Sequence, residues 1–321
     1  MTTRRRLVTA VAELTSEVIR HEAYLKLLLF GILFGLPSAL LVVEAIGPRQ
    51  VDALPASDPT SVQKYGSDPL QFGELRLPKG DGPFPVVVVI HGGCWTKGFA
   101  TLRNTAAIAS ELTKSNLATW NIEYRQVGDA GGGWPGTFRD WGAATDYLRV
   151  LSKSYPLDLS RIMVVGHSAG AHAALWVAAR NHLPFDSEIR GADPLKVQAA
   201  VAVDGPGDLT GFVGFDAQIC GKSVIVPLME GAPAEQPERY RQASPKSLLP
   251  LGVPQFLVTA TVLTPTTAKE YQKLAESKGD RVEILSLDTG HFEVIAPGHK
   301  AWSAVEQVLL KQAFKQKPQD K

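Results

Sequence analysis

The sequence predicts a mostly parallel, doubly wound α/β sheet with helices on both faces. Three observations predict it. The run Val86-Val87-Val88-Val89-Ile90 is β-branched throughout and shows no polar alternation, as in a strand covered on both faces. Runs of this kind alternate along the chain with segments of helical spacing. Finally, Ile162-Met163-Val164-Val165 leads directly into Gly166-His167-Ser168-Ala169-Gly170, and Ala171 to Arg180 beyond it is strongly helix-forming. Strand, tight turn, helix is the context in which Gly-x-Ser-x-Gly lifts a serine hydroxyl above a sheet edge. Small residues on either side let strand and helix approach.

The elements follow in order. Leu27 to Val43 is an uncharged run preceded by Lys26 and ended by Glu44, near the lower length for crossing a bilayer. Arg4, Arg5, Arg6, Arg20 and Lys26 put the positive flank on the N-terminal side, which orients the remainder of the chain away from the cytoplasm. Three readings stand: an uncleaved signal anchor, a signal peptide cleaved near Val43-Glu44-Ala45, or a helix packed on the following domain. Leu7, Val8, Val11, Leu14, Val18 and Ile19 recur at helical spacing, which suits a membrane surface or an extension of the spanning helix. The organisation expected is a basic segment plus anchor or signal over 1–47, a Pro-rich linker over 48–70, and a catalytic domain over 71–316.

Within the domain, Phe72 to Leu77 reads as an edge strand, and Pro78 to Gly82 as a turn. After the Val86–Ile90 strand come a helix over 101–115, a strand over 117–124, a helix over 138–154 and the Arg161–Val165 strand. Val197 to Val203, Gln255 to Thr259 and Val282 to Leu287 are the remaining strands, and Ala301 to Phe314 closes as a helix. The Gly- and Pro-rich stretch 205–250 lacks strand signals and reads as a small irregular lid.

Composition excludes several function classes. Thirty-three basic residues balance thirty-two acidic ones, so no basic face for nucleic acid is expected. Two cysteines without a CxxC, and seven histidines without HExxH spacing, give no zinc pattern.

Ser168 is thus the candidate nucleophile. His91-Gly92-Gly93-Cys94-Trp95 follows the Val86–Ile90 strand, and two adjacent glycines leave backbone N–H groups unobstructed. That is the requirement of an oxyanion hole, here assigned to Gly92, Gly93 and Cys94 with Ala169 as the second contributor. His291 lies just past the last strand, where a general base reaches the nucleophile. His167 and His172 belong to the elbow, His91 supports the glycine loop, and His182 and His299 read as surface residues.

HGG after one strand, GHSAG after another and GHF near the C-terminus together resemble the α/β-hydrolase fold, and within it the esterase/lipase and kynurenine-formamidase-like group. Asn121 to Arg125, Gly132 to Gly136, Pro237 to Tyr240 and Ala243-Ser244-Pro245 extend the resemblance over roughly residues 64–313. The resemblance implies a triad acid after the penultimate strand. There the chain reads Phe256 to Ala260, then Thr261-Val262-Leu263-Thr264-Pro265, with no carboxylate before Glu270. Asp204, ending the preceding strand before Gly205-Pro206-Gly207, is the substitute, and Asp208 is the alternative acid. Asp288 is too near His291 in sequence to reach its far nitrogen, and Glu283 and Glu293 are supporting groups at most.

Trp95, Trp134 and Phe292 adjoin these motifs and are the candidate substrate-binding aromatics. In an exported domain Cys94 and Cys220 are able to pair; otherwise they are two buried thiols. The expected activity is serine hydrolysis of carboxylic esters, or of small amides such as formamides, through an acyl-enzyme without metal or organic cofactor. Two alternatives stand beside it: a catalytically impaired, membrane-anchored binding protein of the same fold, and an acyltransferase.

Overall fold

The structure is a computed structural model and describes residues 46–313. The apolar run Leu27–Val43 lies outside the described residues, and among those described no helix is long and apolar enough to cross a membrane.

Eight strands form one sheet: β1 (Ser61–Lys64), β2 (Phe72–Arg76), β3 (Phe84–Ile90), β4 (Ala118–Ile122), β5 (Leu157–His167), β6 (Ala199–Val203), β7 (Gln255–Thr259) and β8 (Val282–Ser286). Their spatial order is β1-β2-β4-β3-β5-β6-β7-β8. The β1–β2 and β2–β4 pairs are antiparallel; every later pair is parallel. The helices among the described residues are α1 (Pro48–Asp52), α2 (Arg103–Lys114), α3 (Gly136–Asp146), α4 (Leu148–Leu151), α5 (Ala169–Ala179), α6 (Leu209–Phe212), α7 (Asp216–Cys220), α8 (Ile225–Met229), α9 (Pro237–Ala243), α10 (Pro265–Ser277) and α11 (Lys300–Ala313).

The unbroken apolar character of β3 has a direct cause. Val86, Val88 and Ile90 enter one core, and Val87 and Val89 enter another on the opposite face. Because side chains alternate along a strand, a sheet covered on both faces needs no polar position. The first core is closed by α3, α4, α5 and α10 through Phe138, Trp141, Leu148, Trp176 and Tyr271. The second is closed by α2 and α11 through Ile108, Leu112, Trp302, Val305 and Leu309. All eleven residues of α5 are buried. It reads as apolar all round because the sheet lies on one side and the 205–250 segment on the other. Trp176 Nε1 donates to the Gln242 carbonyl at 3.0 Å across that second contact.

Three expectations need correction. Residues 48–70 are not a free linker but part of the domain. Val51 is buried in the second core, Arg103 Nε donates to the Asp52 carbonyl at 2.7 Å, and the Ser57 N–H donates to Ser110 Oγ at 2.9 Å. The segment also supplies β1, so Phe72–Arg76 is not the edge strand. Its Asp and Pro residues shape turns, as where Asp68 Oδ1 accepts from the Leu70 N–H at 2.9 Å. The helix expected over 138–154 is two consecutive pieces, α3 and α4. The 205–250 segment has no strand and folds into four short helices, α6 to α9.

Candidate active site

The motif residues meet at the carboxyl ends of β3, β5, β6, β7 and β8. Ser168 follows β5 with φ 57° and ψ −119°, a left-handed conformation costing an L-residue about 1–3 kcal/mol. The surroundings enforce it. The Ser168 N–H is tied to the Val203 carbonyl of β6 at 2.9 Å. A Cβ on Gly166 would lie 1.9 Å from the Gly170 carbonyl oxygen, and one on Gly170 would lie 2.1 Å from that of Ile90. The two glycines are therefore the condition for the elbow to close against β3.

The glycine loop adjoins the serine: a Cβ on Gly92 would lie 2.9 Å from Ser168 Cβ. Gly93, Cys94 and Trp95 all have positive φ, at 97°, 53° and 53°. Among the described residues, no hydrogen bond of the fold uses the N–H of Gly93, Cys94 or Ala169. These donors are held in place and unspent, which is what stabilising a developing oxyanion requires.

A buried polar cluster supports the loop from beneath. His91 Nε2 lies 2.8 Å from Glu123 Oε1, and its Nδ1 lies 2.9 Å from the Gly92 carbonyl. Tyr124 stacks on the His91 ring, and its hydroxyl donates to the His91 and Gly92 carbonyls at 3.0 and 3.2 Å. Glu123 also accepts the N–H groups of Leu102 and Tyr124. Burial alone would raise its carboxyl. The His91 ring and these N–H groups outweigh burial and hold it below the usual carboxylate range. Sequence reasoning placed Glu123 and Tyr124 in a motif but gave them no role. The available signal was a carboxylate at the carboxyl end of a buried strand, β4.

His291 Nδ1 lies 2.7 Å from Asp204 Oδ2. A carboxylate only accepts here, so Nδ1 carries the hydrogen of this bond and Nε2 is the ring nitrogen turned away from Asp204. The backbone of His291 is fixed separately, its carbonyl accepting from His167 Nε2 at 2.8 Å. Burial, then the nearby His291, push His167 down to about 3, so its ring is neutral and its role is to hold the loop.

Asp204 is fully buried at the end of β6, and the loop after β7 closes around it. Four successive N–H groups, those of Ala260, Thr261, Val262 and Leu263, donate to its two oxygens at 2.8 to 3.0 Å. Thr261 Oγ1 adds a fifth bond at 3.2 Å. Burial acts to raise this carboxyl, but His291 and the loop amides hold it well below the usual carboxylate range. The stretch that lacks a carboxylate in the sequence is thus a backbone cradle for the carboxylate on the neighbouring strand.

Asp208, the alternative acid, lies elsewhere. It caps α6 by accepting from the Gly211 N–H at 3.3 Å, and it pairs with Lys246 at 3.0 Å. The substrate-binding assignments divide. Phe292 is partly exposed, with its ring 5.0 Å from that of His291. Trp95 and Trp134 are core residues. Trp95 is 1% exposed and packs edge-on to His172, and Trp134 Nε1 donates to Glu188 Oε1 at 2.8 Å. Large aromatics next to a motif fill the layer beneath it because that layer is where most apolar area is removed from water. A cavity of about 400 Å³ opens beside Gly205 to Asp208, lined by Leu175, Phe212, Leu263 and Tyr271 rather than by these tryptophans. Cys94 and Cys220 are paired in a disulfide, with Cα atoms 6.1 Å apart. Among the described residues no group of three or more His, Cys, Asp or Glu side chains is gathered to hold a metal.

The structure is similar to several solved ones. A truncated carbohydrate esterase from gut microbiota is 20% identical, covering 81% of this chain and 99% of its own, with a TM-score of 0.67. An acetyl ester-xyloside bifunctional hydrolase from Caldicellulosiruptor lactoaceticus is 17% identical, covering 79% and 95%, with a TM-score of 0.63. A bacterial heroin esterase is 23% identical, covering 76% and 80%, with a TM-score of 0.60. At these identities the likeness is one of fold, and the fold is that of the α/β-hydrolases. No curated protein matches the chain in sequence. The BD-FAE family model matches residues 74–261, which span β3 to β7 and so include the glycine loop, the elbow, Asp204 and the start of its cradle. With more than half of its length matched, the chain belongs to the BD-FAE family of α/β-hydrolases.

Proposed function

We propose that this protein is a serine hydrolase that cleaves carboxylic esters through an acyl-enzyme. One observation carries the reading: a buried, fully hydrogen-bonded Asp204 holds His291 Nδ1 at 2.7 Å, at the sheet edge where Ser168 stands in a strained elbow. A carboxylate buried at the cost of its hydration, and aimed at a histidine, is arranged to orient that ring and to stabilise its charged form rather than to pack.

In this mechanism Ser168 Oγ attacks the acyl carbon and gives its proton to His291 Nε2. Asp204 stabilises the imidazolium that forms and keeps the ring in one orientation. The N–H groups of Gly93, Cys94 and Ala169 receive the oxyanion of the tetrahedral intermediate. Collapse breaks the ester C–O bond, and the proton on Nε2 passes to the departing alkoxide. Water then attacks the acyl-serine, giving one proton to Nε2; that proton returns to Ser168 Oγ as the acid leaves. The esterases of similar fold support this reading; small amides such as formamides, open to the same acyl-enzyme chemistry, are the second substrate class proposed. The Cys94–Cys220 bond supports a working place outside the cytoplasm, with residues 27–46 as the membrane anchor or export signal.

A fluorophosphonate probe tests the proposal. Covalent labelling on Ser168, lost in Ser168→Ala together with hydrolysis of p-nitrophenyl acetate, is the expected result. A folded protein that takes no label is a binding protein and not a hydrolase. Ester consumption that yields a new ester in the presence of an alcohol identifies an acyltransferase.

A further inference from the structure

We infer that the Cys94–Cys220 disulfide is a positioning element of the oxyanion hole, so that turnover depends on the redox state of that bond. The inference rests on the serine-hydrolase reading and concerns how its anion-binding loop is held.

Gly93, Cys94 and Trp95 form a run of three left-handed residues, and only the first is a glycine. Left-handed backbone is disfavoured for the other two, so the run persists only while its surroundings impose it. Three kinds of restraint are present. Local hydrogen bonds close the turn: the Thr96 N–H donates to the Gly93 carbonyl at 3.0 Å, and Thr96 Oγ1 donates to the Cys94 carbonyl at 2.9 Å. The Trp95 indole is buried against His172 and Phe212, and its carbonyl accepts from the Val127 N–H at 2.8 Å. Cys94 itself has one side-chain anchor, the bond to Cys220.

That bond reaches a segment gathered around a buried carboxylate. Cys220 ends α7, whose first residue, Asp216, is fully buried. The Asp216 carboxylate accepts the N–H groups of Gly214, Ala217, Val224 and Ile225 at 2.7 to 2.9 Å. Burial would raise this carboxyl, but those amides draw it below the usual carboxylate range. The chain from 214 to 225 is therefore wound around one charge, and Cys220 sits inside the winding. The disulfide joins this knot to the glycine loop across 126 residues of sequence. It fixes the direction of the Gly93 and Cys94 N–H groups, which the strained backbone would otherwise relax.

Reduction supplies two electrons and two protons. With dithiothreitol the S–S bond breaks, two thiols form, and the reductant becomes its cyclic disulfide. The test uses the full chain, oxidised and reduced. It reads kcat and KM on p-nitrophenyl acetate, together with hydrogen–deuterium exchange over residues 91–97. Loss of an oxyanion donor lowers kcat by about 10²-fold in other hydrolases, and a displaced rather than deleted donor is expected to lose at least about tenfold, with KM little changed. Reoxidation restores the rate, and Cys220→Ser reproduces the loss without altering any residue of the glycine loop or the elbow. Exchange over 91–97 rises in the reduced protein whether or not the substrate is the right one. A reduced protein that keeps its far-UV spectrum, its exchange rates and its kcat overturns the inference. An oxidised protein that takes no fluorophosphonate label while its 91–97 exchange still responds to reduction leaves the brace standing and removes the hydrolase reading instead.

Discussion

The carboxyl ends of β6 and β7 lie side by side and divide one task between them. β6 ends in a charge without local donors of its own; β7 ends in donors without a charge. Asp204 needs the loop after β7, because a carboxylate left unpaired in a dry interior is prohibitively costly. That loop needs Asp204, because four consecutive N–H groups turned inward require an acceptor. The comparison teaches that the position of a triad acid and the position of its solvation shell are separable. A loop without a carboxylate still holds the proposed acid through its backbone.

The largest way to break this division is Asp204→Asn. It leaves the shape but removes the charge that supports His291, and kcat is expected to fall by about 10⁴-fold, measured on a soluble aryl ester. The loop's donors would then face an amide whose NH₂ cannot accept, so the thermal midpoint falls as well. Next comes Gly205→Ala. A Cβ there would lie 2.0 Å from the Ser168 carbonyl oxygen, so backbone must move, at an expected loss of about 1–3 kcal/mol in chemical denaturation.

Acid titration sharpens the contrast between groups held charged and groups held neutral. Burial pushes His167 down to about 3, and His172 to about 4, from an ordinary value of 6.5. Between pH 6.5 and about 4 the unfolded chain takes up protons at both positions while the fold does not. Stability therefore falls with decreasing pH in that window, by up to about 1.4 kcal/mol per pH unit for each ring. Asp204, held low, adds its own loss only further down, as pH drops through and below the ordinary carboxylate range. His172→Asn is expected to flatten the upper window without changing the lower one, as read from urea midpoints across pH.

The smallest effects separate Asp204 from its surroundings. Thr261→Ala removes one hydroxyl at 3.2 Å and leaves four N–H donors, so kcat is expected to fall only about threefold. Asp208→Asn keeps an acceptor at the α6 cap and loses a partly exposed ion pair, so kcat is expected to stay within about twofold. A large loss from Asp208→Asn, with little from Asp204→Asn, would reverse the assignment of the acid.

Much of this was legible in the sequence because its cause is local. The all-apolar β3 run, the small residues around Ser168 and the paired glycines after Ile90 each reflect a steric demand met within a few residues. Asp204 was legible by a different route, as a carboxylate before Gly-Pro-Gly next to an empty loop. What the sequence hid is what depends on distant backbone. The cradle at Ala260 to Leu263 is made of N–H groups, which every non-proline residue carries, so no side chain announces it. Residues 48–70 carry turn-forming residues that look the same in a linker and in a folded strap. Trp95 and Trp134 stand beside motifs, but adjacency in sequence does not say whether a ring faces the cavity or the layer below it.

The Ser168 N–H bond to the Val203 carbonyl has a mechanical consequence. The proposed nucleophile and acid follow adjacent strands, one ladder step apart, and that bond closes the step at its carboxyl end. An acid after β7 would lie two steps away. Compliances of strand pairs in series add, so each further step widens thermal scatter in the spacing between the two groups. With the proposed acid after β6, its spacing from the nucleophile is set by one strand pair, and only the histidine loop has to span the further steps to β8.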